Sequence, residues 1–127
     1  MTAPDRARAS SHTAGSLNKQ LFVIFSEAGP RPGELAGHIP AHLDYLTGLE
    51  KGGALFMSGP FLDASGSPGD SGMLIVRATS TGEAAALAAA DPFHSSGARS
   101  FRVTEWQVHQ GRIDIAVDLS DRSYLLR

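Results

Sequence analysis

The sequence predicts an α+β domain with the element order β-α-β-β-α-β, an antiparallel sheet and both helices on one sheet face. Three observations carry this expectation. Residues 39–51 place apolar side chains at helical spacing and end at the pair Gly52-Gly53. Ser80-Thr81-Gly82-Glu83 opens a second, alanine-rich helix. Short runs rich in β-branched and aromatic residues stand at 20–26, 54–58, 73–78 and 100–109, too short for helices and suited to strands.

Composition bounds the classes of function. A chain of 127 residues with 42% hydrophobic content is one domain with a real core. The net charge of −2 and the lack of a Lys/Arg cluster argue against nucleic acid as a partner. No apolar run approaches the roughly 20 residues of a membrane span, and the N-terminus lacks the apolar stretch of a signal peptide. The absence of cysteine excludes a disulfide framework and thiolate chemistry; a cytoplasmic location is expected.

Residues 1–18 hold Ala, Ser, Thr, Pro and Arg with almost no large apolar side chain, so a flexible tail is expected there. The folded domain is expected over 19–110 and an additional strand or arm over 111–127. The first strand, 20–26, is followed by a loop punctuated by Gly29-Pro30 and Pro32-Gly33. In the first helix Pro40 suits the opening turn, where its missing N–H has no partner to lose. At 100° per residue Ile39, His42, Leu46 and Leu49 share one side, and Leu35 joins them if the helix starts earlier. His42 thus falls inside an apolar stripe, where a buried imidazole needs a partner for its ring nitrogens.

The second strand is expected to close at Gly59-Pro60, and 61–72 to be a long loop forming a rim for a pocket. After the third strand, Ser80 is the N-cap of a helix and Glu83 reaches back to it. Asp91-Pro92 ends that helix, because proline pushes the preceding residue out of the helical region. The fourth strand follows the turn at Gly97, with Phe101 and Val103 on one face. Beyond Gly111, Ile113, Ile115, Val117 and Leu119 alternate with smaller or charged residues, the period of a one-sided strand.

This order is the ferredoxin-like split βαβ arrangement. Phe22 and Ile24 point to one face of the sheet, and Leu21, Val23 and Phe25 to the other. The face without helices is therefore apolar too, and a second copy of the same sheet is its simplest cover. A homodimer is expected.

The segments Pro40-Ala41-His42-Leu43-Asp44-Tyr45-Leu46, Gly53 through Pro60, and Asp91-Pro92-Phe93 with Gly97 resemble the YciI-like family of YCII-related domains in order and spacing. The resemblance covers roughly residues 21–106. It implies a ferredoxin-like fold that dimerises into an α/β barrel. It also implies an active site pairing His42 with Asp91. Activities in this family and its relatives include dehydrochlorination of a chlorinated hydroxyhydroquinone and isomerisation of muconolactone. Family members often carry an arginine three residues before the histidine. Here that position is Ile39, and Arg99 and Arg102 are the candidates to supply the charge.

A His–Asp pair is an acid–base device: the carboxylate accepts from one ring nitrogen and leaves the other to move a substrate proton. Ser58, Gly59, Pro60 and Phe93 are the candidate substrate-binding residues, glycine allowing a ligand close to the backbone. His38 and His42 stand four apart, a spacing that can share a metal, but no third ligand stands out and no metal site is expected. No cofactor is expected either. The reading is a small cofactor-independent lyase or isomerase acting on a small carbonyl or ring-hydroxylated compound. The alternative is a non-catalytic dimeric module that binds a ligand or another protein, with His42 a core histidine satisfied by Asp91.

Overall fold

The structure, a computed structural model, describes residues 12–126. Residues 20–107 form one compact unit; the described residues up to Lys19 and from Val108 onward form a second.

In the larger unit, β1 (Lys19–Ala28) leads through a 3-10 turn at Pro32–Glu34 into α1 (Leu35–Lys51). The strands β2 (Leu55–Leu62) and β3 (Pro68–Val76) form a hairpin. Then come α2 (Thr81–Ala89), the short α3 (Pro92–Ser95) and β4 (Arg99–Val108). The four-stranded sheet has the order β2-β3-β1-β4, with β3 antiparallel to both β1 and β2. This is the ferredoxin-like α+β fold.

Phe22 and Ile24 of β1, Leu74 and Val76 of β3, and Ala84 and Ala88 of α2 make the buried core, with Leu46, Phe101 and Val103 packed against it. Alanine on the sheet side of α2 lets that helix lie close to the strands. The Ser80 hydroxyl accepts from the Glu83 N–H at 3.1 Å, as an N-cap does. The Glu83 carboxylate, however, reaches Thr79 rather than Ser80, accepting from its N–H and its hydroxyl. At the end of α1, Gly53 takes φ +83°. The Gly53 N–H donates to Glu50 O and the Ala54 N–H to Leu49 O, satisfying carbonyls that the helix end would orphan.

Three expectations are corrected. Helix α1 begins at Leu35, so Pro40 lies inside it and His38 is on the helix. The turn at Pro32–Glu34 provides the entry that Pro40 was expected to mark; the helix tolerates the one hydrogen bond Pro40 removes. Second, β2 runs through Gly59-Pro60 to Leu62, and β3 starts at Pro68, so the expected long loop shrinks to a tight hairpin. Proline is admitted because β2 is an edge strand and Pro68 opens its own strand. Gly72 is required: a Cβ there would meet Gly59 O at 2.9 Å. Third, the C-terminal arm is a hairpin of two strands, β5 (Ile115–Asp118) and β6 (Ser123–Leu126).

The second unit contains that hairpin and a turn at its N-terminal side. The Asn18 side chain donates to Thr13 O at 2.8 Å, and the Leu17 N–H to His109 O at 3.3 Å. Of the tail expected over 1–18, residues 1–11 lie outside the described residues. No helix among the described residues is long and apolar enough to cross a membrane.

Candidate active site

Asp91 stands between two helices and serves both. Its N–H donates to Ala88 O at 3.2 Å, closing the end of α2. Its backbone is extended (φ −64°, ψ 126°), the geometry Pro92 imposes on it, and its carboxylate accepts from the Phe93 N–H at 2.9 Å as the N-cap of α3. The same carboxylate, with no exposed surface, turns toward α1. The His42 Nδ1 lies 2.8 Å from its Oδ1 and 3.0 Å from its Oδ2.

A carboxylate only accepts, so Nδ1 carries the proton and donates it. Neutral His42 then keeps its lone pair on Nε2. That nitrogen makes no hydrogen bond within the protein and is not enclosed: among the described residues, Arg99 Nε is the one fully buried side-chain nitrogen or oxygen without a partner. Phe93 stacks on the imidazole at 3.7 Å between ring centroids and 10° between planes. The ring therefore has its tilt set by Phe93 and its rotation by Asp91.

His42 lines a cavity of about 620 Å³ between α1 and the helix-facing side of the β2–β3 hairpin, a size suited to a small molecule. Leu35, Ile39, Leu43 and Leu46 line it from α1, and Ser58, Gly59 and Pro60 from β2. The register pairs Ser58 with Leu74 and Pro60 with Gly72, which puts both on the face that looks toward α1. Phe93 and Arg99 complete the wall. The cavity thus gathers His42, Ser58, Gly59, Pro60 and Phe93, while Asp91 sits behind His42, out of reach of the cavity.

Arg102 is not at the cavity. Its guanidinium lies 4.0 Å over the Phe25 ring and its Nε 3.6 Å from Glu27. His38 pairs with Glu34 at 3.6 Å, and the described residues contain no group of three or more His, Asp or Glu side chains placed to hold a metal.

Sequence reasoning passed over two residues that hold the site, Tyr45 and His94, and named Arg99 only as one of two candidate cations. The Tyr45 hydroxyl donates to Leu87 O at 2.7 Å, tying α1 to α2; burial first, then the nearby Asp91 charge, raises its pKa and keeps it a donor. His94 bridges Ala88 O through Nδ1 (2.7 Å) and Ser26 Oγ through Nε2 (2.8 Å), joining α2 to β1 beside Asp91. Arg99 shares the inner face of β4 with Phe101 and Val103. That alternation was readable, and a cation on a core-facing position is its signal.

A family model described as the YCII-related domain matches residues 20–107, more than half of the chain and the same span as the larger compact unit. The chain belongs to the YCII-related family. This YCII-related chain is 35% identical over 71 residues to the uncharacterized protein YjpA of Bacillus subtilis strain 168, covering 56% of this chain and 78% of that one. Among solved structures it is similar to the 5-chloro-2-hydroxyhydroquinone dehydrochlorinase of Burkholderia phenoliruptrix AC1100, in complex with 2,5-dihydroxybenzoquinone. That similarity has a TM-score of 0.57 and 28% identity, over 68% of this YCII-related chain and 92% of the other.

Proposed function

We propose that this protein is a cofactor-independent lyase or isomerase that moves a proton on a small carbonyl or ring-hydroxylated compound. One observation carries the reading: the imidazole of His42 is oriented by a fully buried carboxylate while its second nitrogen is left open at a small apolar cavity. The similarity to a dehydrochlorinase supports the lyase branch.

His42 is the general base. Its Nε2 takes a proton from a C–H made acidic by an adjacent carbonyl, and Asp91 stabilises the imidazolium that forms. In an elimination, the electron pair of the broken C–H bond becomes a C=C bond and the C–Cl pair leaves with chloride. In an isomerisation, Nε2 returns the same proton to a different carbon. Ser58, Gly59, Pro60 and Phe93 form the substrate wall.

We also infer a homodimer, working in the cytoplasm. On the sheet face opposite the helices, Val23, Phe25, Met73 and Trp106 border a shallow apolar hollow of about 290 Å³. A second copy is a natural cover for it.

The test is turnover of chlorinated hydroquinones, 5-chloro-2-hydroxyhydroquinone first, followed by chloride release, and of unsaturated lactones, followed by absorbance. Wild type should turn over a member of the panel, and His42→Ala should lose at least about 100-fold. Compounds that bind without turnover, or equal turnover by His42→Ala, would overturn the enzyme reading in favour of a binding module.

A further inference from the structure

Arg99 is a cation without a counter-ion at the wall of the cavity. It is 9% exposed, and its Nε is fully buried with no hydrogen-bond partner. Among the described residues its guanidinium makes no ion pair; it lies over the Phe93 ring, 5.0 Å from Cζ to the ring centroid. Asp70 and Asp91 act on it only through space, and Asp91 is already engaged by His42 and the Phe93 N–H. Burial pushes its pKa down, against the pull of those two carboxylates. Guanidinium does not shed its proton in proteins, so neutralisation is no escape from the cost of burial.

The backbone holds this side chain where it is. The Gly29 N–H donates to Ala98 O at 3.0 Å and the Arg31 N–H to Gly97 O at 2.8 Å. The Arg31 side chain donates to Ser96 O at 3.0 Å. The turn that launches β4 is thereby pinned to the loop after β1, and Arg99 enters the cavity wall from a fixed point. Its Nε is desolvated and unpaired, and its terminal nitrogens, which have no partner among the described residues and are not enclosed, stand on the wall of the cavity that His42 also lines; this arrangement suits an incoming anion.

We propose that Arg99 is the anion-binding residue of this cavity and that its ligand is a small, flat ring compound carrying an ionised oxygen, a phenolate, enolate or carboxylate. Leu35, Ile39, Leu46 and Pro60 take the ring face, and Arg99 takes the oxygen. This rests on the reading of the cavity as a substrate site. In that setting Arg99 places the oxygen whose charge rises as His42 removes a proton from a nearby carbon.

The experiment measures binding, not turnover, by calorimetry on the full chain. The probes are 4-nitrophenol in its ionised form, benzoate, and uncharged benzyl alcohol. Wild type should bind one of the anions at least tenfold more tightly than benzyl alcohol. Preference for 4-nitrophenolate identifies a phenolate or enolate ligand; preference for benzoate identifies a carboxylate. Arg99→Gln should remove that preference, while Arg102→Gln, a charge change away from the cavity, should keep it. If Arg99→Gln does not fold, Arg99→Lys decides: a drop of threefold or more for the anion with benzyl alcohol unchanged supports the proposal, and equal anion affinity overturns it. No anion preference in wild type also overturns it. The readout is binding without turnover, so a failure of the catalytic reading stays distinguishable from a failure of this one.

Discussion

The Asp91 carboxylate holds His42 and the first amide of its own helix at once: Oδ1 lies 2.8 Å from His42 Nδ1 and 2.9 Å from the Phe93 N. One buried group therefore sets both the rotation of the imidazole and the start of the helix that carries the ring stacked on it. Orientation of the base and local folding are the same interaction.

Substitutions at Asp91 separate the two roles. Asp91→Asn keeps an oxygen for the Phe93 N–H but loses the charge that supports the imidazolium. It should fold normally and lose about 10²–10⁴-fold in turnover. Asp91→Ala loses the cap as well, about 1 kcal/mol, and leaves a buried Nδ1–H without a partner, about 1–3 kcal/mol more. Melting curves and steady-state rates on both variants check this, and an Asn variant as active as wild type would count against the proposed chemistry.

His94 gives the fold a dependence on pH. Burial is the main cause that lowers its pKa, joined by the charges of His42 and Arg99 and opposed by its bond to Ala88 O and by Asp91. Its folded value thus lies below the ordinary value of about 6.5, and the unfolded chain binds the extra proton first. The stability this residue contributes is complete above about pH 6.5 and is lost as pH falls through the folded pKa. The melting temperature should fall between pH 7.5 and pH 5, and His94→Gln should fall less over the same interval. Identical falls in the two proteins would show that His94 is not the group responsible.

Gly72 tests the hairpin that lines the cavity. A Cβ there meets Gly59 O at 2.9 Å and Pro60 Cα at 3.2 Å, and backbone on the partner strand cannot give as a flexible side chain does. Gly72→Ala should cost about 1–3 kcal/mol and weaken ligand binding through the displaced Ser58–Pro60 wall. Chemical denaturation and the same calorimetry read both effects.

The proposed dimer is checked by light scattering at micromolar concentration. Wild type should give twice the chain mass. Trp106→Lys, placing a charge at the rim of the apolar hollow where the indole is 42% exposed, should shift the mass toward the monomer without unfolding the chain. A monomeric wild type would remove the dimer from the reading.

What the sequence determined by itself were the features set by local rules. Gly52-Gly53 ends a helix, Ser80 starts one, Asp91-Pro92 breaks one, and Phe22 with Ile24 and Phe101 with Val103 mark one face each of the first and fourth strands; each depends on only a few neighbouring residues. Such rules misled where tertiary context outweighed them. Pro40 sits within a helix held by packing on both sides of it, and Gly59-Pro60 continues a strand because an edge strand needs no donor on its outer side. The arm beyond Gly111 read as a single period-two strand, and its return strand carries too weak an alternation to announce itself.

Only the tertiary structure decided what His42 touches and what Arg99 faces. The pair His42–Asp91 spans 49 residues, and the stripe on α1 demanded a partner without naming one; the family resemblance, not the spacing, pointed to Asp91. Arg99 and Arg102 were equal candidates by position. The strand turns them to opposite faces, so Arg102 finds Phe25 and Glu27 while Arg99 enters the cavity wall with no counter-charge. Desolvation is a property of everything packed around a group, and no window of sequence contains it.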